Sequence, residues 1–398
     1  METLSPRPRD SSRWRWSYVT WLSQFTHQNQ KDDSNQPILI PDLVRSILER
    51  LSFVDFHRAR CISSVWYTTS ESSFIRVTNP TTPWLIFFPS QHVENNYNIS
   101  CKLYDPHENK TYIVRGCLGF DLSRSRCLAS SGSWFLMLES STKFHLLNMF
   151  TRVRITLPAL ELTDGSDVEN AVLWVDEERK DYLVVWNIAS NFAYHKKGDN
   201  SWKRFEPLKN QGCIIDMVFK ESKLYLLSSV TRDVTVLDFS GNDSPVECAT
   251  FPFNRYDDYP YLIGKGHYKL AVTLSGEVLI IIVELDQRQY LRTAVYKIDP
   301  KSSEWRRIKS LEGETLLFDL GLTVAAKVMK NCIYFGNDQF DRNNGISLCD
   351  DYNYNRIRIY HVRTGFVFQV FEHLTAFSTI LFKDARWFLP TFGLKWLL

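Results

Sequence analysis

The side chains best equipped for chemistry in this chain of 398 residues are eight cysteines, nine histidines and a few paired carboxylates. Their spacing assembles none of them into a reaction centre. Cys61, Cys101, Cys117, Cys127, Cys213, Cys248, Cys332 and Cys349 are scattered, without the C-x-x-C pairing that grips zinc or cycles a disulfide. They read as reduced thiols of a cytosolic or nuclear protein. No two histidines stand at i, i+4, so no metal site is expected. The nucleophile elbow G-x-S-x-G, the zinc helix H-E-x-x-H and the phosphate loop G-x-x-x-x-G-K-[ST] are all absent from the sequence. Gly264-Lys265-Gly266 is a lone turn-like fragment, and Glu177-Glu178 and Asp350-Asp351 suit solvated loops. A non-catalytic chain with no cofactor is the expectation.

The elements that must carry any other function announce themselves by composition and period. A hydrophobic content of 44% over this length suffices for one large domain and a small module beside it. The net charge is +2 with both signs interspersed, so no overall field favours nucleic acid or a membrane surface. The longest aliphatic run, Val278 to Val283, is far short of a membrane span and reads as a buried strand. Sequons at Asn98, Asn109 and Asn242 are read as chance matches, because no secretory signal is recognised.

Residues 1–36 lack an apolar period and read as a mobile arm. Arg7, Arg9, Arg13 and Arg15 alternate with Trp14, Trp16 and Trp21, which also fits an organelle transit peptide or a single-stranded nucleic-acid contact. Glu2 and Asp10 weaken the first, and the lack of a folded RNA-binding motif weakens the second.

Residues 37–76 change to helical spacing. Leu43, Val44, Ile47, Leu48 and Leu51 gather on one stripe, with Arg45, Ser46, Glu49 and Arg50 facing away. Pro41 and Asp42 suit the opening turn, where an amide hydrogen is dispensable and a carboxylate meets the positive end of the helix dipole. Asp55 is a second start signal, followed by Phe56, Ala59, Ile62, Val65 and Trp66 at three- and four-residue spacing, with a break at Ser63-Ser64. So small a module cannot bury all its apolar surface alone. It caps the larger domain or meets another polypeptide.

The order Ile40-Pro41-Asp42-Leu43-Val44, Ile47-Leu48-Glu49-Arg50-Leu51, Asp55-Phe56-His57-Arg58-Ala59-Arg60 and Ile62-Ser63-Ser64-Val65-Trp66 resembles the F-box, above all its plant versions. Two departures stand out: Pro41 lies one residue nearer the helix than usual, and Ser63 replaces the signature cysteine. The resemblance implies three helices that bury apolar side chains against a Skp-family adaptor, itself docked on a cullin. The implied contact set is Ile40, Pro41, Leu43, Val44, Ile47, Leu48, Leu51, Phe56 and Trp66.

Residues 80–395 turn to short apolar runs separated by Gly, Asn, Asp and Pro, the text of an all-β domain. A loose repeat joins an apolar strand to a chain reversal and a second strand. It recurs at Leu103-Tyr104-Asp105-Pro106, His145-Leu146-Leu147-Asn148, Phe192-Ala193-Tyr194-His195, Val236-Leu237-Asp238-Phe239, Tyr296-Lys297-Ile298-Asp299 and Ile359-Tyr360-His361-Val362. That period predicts the blades of a kelch- or WD-like β-propeller, with a sandwich as the alternative. The apolar, Trp-rich tail from Leu381 to Leu398 is available to close it. Asp216-Met217-Val218-Phe219-Lys220, Glu304-Trp305-Arg306, Asn331-Cys332-Ile333-Tyr334-Phe335 and Arg386-Trp387-Phe388-Leu389-Pro390 are similar to the plant F-box-associated domain of unknown function 295.

Fold class is therefore mainly β with a small α module. The function implied is that of a substrate receptor in a Skp-cullin-F-box ubiquitin ligase: adaptor on the helices, an unknown protein target on the β domain, no nucleic acid and no membrane. The competing readings are a stand-alone β-domain interaction protein, cytosolic or directed to mitochondrion or plastid, with a vestigial F-box, and a propeller enzyme with its residues at the channel mouth.

Overall fold

A chain whose apolar runs are short and continuous must cover both faces of each sheet, and the computed structural model shows how. It describes residues 40–391 apart from short breaks, the longest at 90–98, 116–121, 160–167, 207–212, 254–266, 286–290, 337–356 and 370–381. The arm 1–36 and the end of the tail lie outside the described residues.

Two helices come first, α1 (Pro41–Leu48) and α2 (Ser64–Val77). Asp55, Phe56 and Ala59 have helical backbone, but intervening positions are outside the described residues. Among the described residues the helical part is thus two short helices; the third that the resemblance implied is not established.

The strands follow in hairpins. The first blade holds β1 (Trp84–Pro89), β2 (Ile99–Asp105) and β3 (Lys110–Arg115). The second holds β4 (Ser125–Ser131), β5 (Trp134–Glu139), β6 (Lys143–Asn148) and β7 (Arg154–Thr156). The third is β8 (Asn170–Asp176), β9 (Asp181–Ile188), β10 (Asn191–Lys196) and β11 (Lys203–Phe205). The fourth is β12 (Ile214–Lys220), β13 (Lys223–Ser228), β14 (Val234–Asp238) and β15 (Val246–Phe251). The fifth is β16 (His267–Val272), β17 (Val278–Leu285), β18 (Leu291–Asp299) and β19 (Glu304–Ile308). The last gathers β20 (Glu314–Leu317), β21 (Leu322–Ala325), β22 (Cys332–Phe335), β23 (Arg358–His361) and β24 (Val367–Gln369), and β25 (Phe382–Phe388) returns to the first.

Hydrogen bonding joins the fifth and sixth blades into one nine-stranded sheet, but only through the single pair Val272↔Leu322. The other sheets are four-stranded. The ring is closed by β25, which pairs antiparallel with β1 from Trp84↔Phe388 to Pro89↔Phe382. That closure fulfils the reading of the Trp-rich tail as far as its described residues go. It also leaves the innermost strand of the first blade to the far end of the chain, which hides an edge that would otherwise template aggregation.

Packing proves the circle. Six apolar clusters each join two neighbouring blades, and the set is cyclic. Phe135, Met137 and Phe388 join the first and second blades. Trp134, Tyr182 and Trp186 join the second and third, and Phe192, Met217 and Phe219 the third and fourth. Val218, Ile280 and Trp305 join the fourth and fifth, and Ile281, Phe318 and Phe335 the fifth and sixth. Phe87, Tyr334 and Trp387 complete the turn between sixth and first. Every blade is covered on both sides, which explains why β17 reads as an unbroken aliphatic run.

Polar ties cross the same seams. Trp202 Nε1 donates to Pro158 O and Trp305 Nε1 to Pro252 O, both at 2.8 Å, so each outer-strand indole reaches back to the preceding blade. Gly321 (φ +63°) sits where a Cβ would collide with Val218 and the Leu270 carbonyl, so its backbone can approach the inner strand only as glycine. Trp305→Phe is expected to cost about 1 kcal/mol for the lost hydrogen bond. A thermal midpoint no lower than wild type would show that the tie contributes nothing.

Candidate docking module and its setting

The candidate docking module is built around α1. Pro41 opens the helix and Ile40 caps it, its carbonyl accepting from Leu43 N at 2.9 Å and Val44 N at 3.2 Å. Asp42 pairs with Arg45 at 3.2 Å across one turn. α2 begins after Ser63, whose Oγ accepts from Trp66 N at 3.5 Å and whose carbonyl accepts from Tyr67 N at 3.0 Å. Serine is therefore suited to the site where the F-box signature has cysteine: it caps the helix that carries Trp66.

The expected stripe divides into two faces. Val44, Leu48 and Phe56 are fully buried and form the module's own core with Ala59, against which Leu51 and Trp66 pack half-buried. Ile40, Leu43 and Ile47 are 62%, 53% and 39% exposed, and Pro41 is exposed beside them. The division follows from helix geometry: each turn offers two adjacent apolar positions, and one of each pair turns inward. Residues near α2 add Ile62 at 64% and Tyr67 at 39% to the exposed apolar surface. Tyr67 was missed in the sequence because it breaks the period. Ile62 fitted the period but was assigned no role there.

The ring's axis is lined by a different chemistry. Asp216 on β12 pairs with Lys269 on β16 at 2.8 Å and accepts from Leu270 N at 2.7 Å. On β25, Asp384 pairs with Arg386 at 2.9 Å, and Arg386 reaches the Leu128 carbonyl of β4 at 3.4 Å. Asp319, after β20, accepts from Trp387 N at 3.1 Å. Burial pushes the Asp319 carboxyl up to about 6, against the pull of the Arg386 charge. Burial also raises Asp216 against the opposing pull of Lys269. Asp216, Arg386 and Asp319 each tie one blade to another, while Asp384 holds Arg386 along the same strand. Among the described residues, no group of three or more His, Cys, Asp and Glu could hold a metal ion.

A carboxyl held above its unfolded value of about 4 favours folding while protonated and opposes it once ionised. Its contribution is complete below about pH 4 and is lost as pH rises through about 6. Asp319→Asn is therefore expected to exceed wild type in stability by about 1–2 kcal/mol at pH 8, with the difference fading towards pH 4. Urea unfolding of both proteins across that range measures it. A difference independent of pH would refute the assignment.

A closed ring of blades behind a small helical module with an outward apolar face defines an F-box β-propeller protein. Residues 38–77 match the F-box domain, and residues 103–361 match the KIB1-4 beta-propeller. The chain belongs to the KIB1-4 β-propeller family. It is 61% identical to the F-box protein KIB2 of Arabidopsis thaliana, over 95% of this chain and 89% of the relative. It is 62% identical to the F-box/kelch-repeat protein KIB1 of the same plant, over 94% of this chain and all of the relative. To the F-box protein KIB4 the identity is 56%, over 91% and 97% of the two chains. The family match is to the KIB1-4 propeller, whereas the sequence alone pointed to the domain of unknown function 295.

Proposed function

We propose that this protein is the non-catalytic target receptor of a Skp-cullin-F-box ubiquitin ligase. The observation that carries the reading is the division of the helical stripe. Val44, Leu48 and Phe56 complete the module's core without needing a partner, yet Ile40, Leu43, Ile47 and Ile62 stay in water. Aliphatic anchors of this kind, presented from a helix, suit the helix-in-groove recognition by which F-boxes hold their adaptor. The adaptor then brings the cullin.

The target is assigned to the opposite end of the propeller. α2 ends at Val77 and β1 starts at Trp84, so the helical module is tethered at the strand ends joined by the short turns 132–133, 221–222 and 106–109. The connections at the other ends are the long ones, 90–98, 157–169, 252–266, 336–357 and 370–381. Length and sequence freedom in connections on a rigid scaffold are what recognition draws on. The likeness to the domain of unknown function 295 and a kelch-type repeat belong to this proposal, supported by the six recurrences of the strand-turn-strand unit. Cytosolic or nuclear residence is part of it too, and a fluorescent fusion that enters mitochondria or plastids through residues 1–36 would count against it.

Co-expression with a plant Skp-family adaptor tests the reading directly. A one-to-one complex surviving gel filtration is expected. Separate elution of the two chains at micromolar concentration would overturn it.

A further inference from the structure

A half-buried arginine ordinarily spends its donors on carboxylates or carbonyls, and Arg232 does not. It belongs to the loop 229–233 that joins β13 to β14, at the end of the ring assigned to the target. Its guanidinium lies over the half-buried Tyr268 ring of β16, 4.4 Å from the centroid. Among the described residues it donates no hydrogen bond and pairs with no carboxylate. Stacking uses the flat face of the guanidinium and leaves its N–H edge open, and that planar fork grips a carboxylate through two parallel bonds.

The loop that presents the arginine is held still. Ser228, fully buried, accepts at Oγ from Val230 N and from Thr231 N, both at 3.3 Å. Thr231 Oγ1 accepts from Asp233 N at 3.3 Å, Ser228 N donates to Asp233 O at 3.0 Å, and Ser229 N donates to Cys213 O at 2.8 Å. Asp233 Oδ1 accepts from Phe253 N at 3.2 Å, so the carboxylate next in sequence is engaged with backbone. Arg232 itself sits at φ +62°, a left-handed conformation that a long side chain adopts only where its surroundings impose it. Val230, two residues away, is 70% exposed. The seam between the fourth and fifth blades is closed by Val218, Ile280 and Trp305 and does not depend on the arginine.

We propose that Arg232 on its Tyr268 platform, with Val230 beside it, is a docking point for an acidic segment of the protein target. The guanidinium fork takes one aspartate or glutamate carboxylate, and the valine takes an aliphatic side chain next to it. A loop fixed before the partner arrives loses little freedom on binding, and an arginine held on an aromatic ring is a common anchor of interfaces. The charge favours a carboxylate over a phosphate. Phosphate recognition draws on clusters of arginines, whereas here one guanidinium stands next to Asp233, whose negative charge disfavours a dianion. The inference rests on the receptor reading and narrows it to targets that present an acidic, aliphatic stretch.

Random dodecapeptides selected on the immobilised full chain probe the site without knowledge of the target. Enriched peptides are expected to carry Asp or Glu next to Leu, Ile or Val about fivefold more often than the starting library, as one charged and one apolar anchor require. A fluorescent copy of one such peptide should lose about tenfold or more in affinity to Arg232→Gln and to Tyr268→Leu, and about threefold to Val230→Ser. Arg204→Gln, at an exposed arginine on β11, should bind as wild type does. A selection without acidic enrichment, or equal affinity for wild type and Arg232→Gln, would overturn the site. So would a peptide with phosphoserine in place of its acidic residue that binds more than about tenfold tighter, since the chemistry would then be that of phosphate. Thermal unfolding shows whether each variant keeps its ring, and Arg232→Lys, which retains the charge without the fork, is a second break if Arg232→Gln does not fold. Adaptor capture measured in parallel separates the two ideas: a chain that selects acidic peptides through Arg232 yet captures no adaptor defeats the receptor reading and leaves the site standing.

Discussion

Ile47→Asp is expected to weaken adaptor capture at least about 100-fold while leaving the unfolding curve of the protein unchanged. Ile47 is 39% exposed on α1, one position before the fully buried Leu48, so an aspartate there meets water in the free protein. In the complex the same carboxylate would be forced into an apolar groove. The loss combines the burial of an isoleucine, about 1.5–3 kcal/mol, with the desolvation of a charge that has no partner. Even the lower part of that range, with a small desolvation cost, reaches the 2.8 kcal/mol that corresponds to about 100-fold. Titration of the adaptor against both proteins measures it, and equal affinities would remove the exposed face from the interface. Leu48→Asp is the instructive contrast. It also abolishes capture, but by opening the core formed with Val44 and Phe56, so the module's helical signal should be lost with it.

Trp387→Ala is expected to lower the stability of the propeller by about 3–5 kcal/mol, a large part of the 5–15 kcal/mol typical of a folded domain. Trp387 is fully buried on β25 at the joint between last and first blades. Its indole donates to Phe335 O at 3.1 Å and meets Tyr334 edge-on at 4.8 Å, and its amide is the donor to Asp319. Truncation to alanine therefore opens a cavity and strands a carbonyl on the strand whose pairing with β1 closes the ring. Guanidinium unfolding followed by fluorescence at several wavelengths gives the free energy. A loss below about 1 kcal/mol would mean the ring is held elsewhere, for instance just beyond β25 by Thr391, which bonds Ser133 of the second blade and reaches Glu177 of the third at 2.9 Å.

Much of this architecture could be read in the sequence, and the reason is local. The six recurrences of the repeat fall on the hairpins β2–β3, β6–β7, β10–β11, β14–β15, β18–β19 and β23–β24, the outer pair of each blade. Turn chemistry is written in adjacent residues: Asn148 Oδ1 accepts from Phe150 N and Thr151 N at 3.0 Å, and Asp238 Oδ1 from Ser240 N at 2.7 Å. Cyclic closure was legible only as a Trp-rich tail, because the pairing of Trp84 with Phe388 is set by residues at opposite ends of the text. The helical stripe was legible as a stripe. Which half of it faces inward was not, since Val44 and Leu43 are neighbours of equal hydrophobicity, and only the position of Phe56 decides between them. The axial carboxylates escaped altogether. Asp216, Asp319 and Asp384 have no common spacing, and three separate inner elements bring them to one axis.

Closure by the final strand makes synthesis itself a checkpoint. The F-box helices leave the ribosome some 300 residues before β25, a delay of roughly 15–60 s at ordinary elongation rates. Throughout that interval the nascent chain carries the helical module's exposed apolar stripe on an open stack whose first blade lacks its inner strand. Any message that stops after α2 and before β25 yields a polypeptide with a finished helical module and an unfinished ring, which on the proposed receptor reading would occupy an adaptor with no folded target domain behind it.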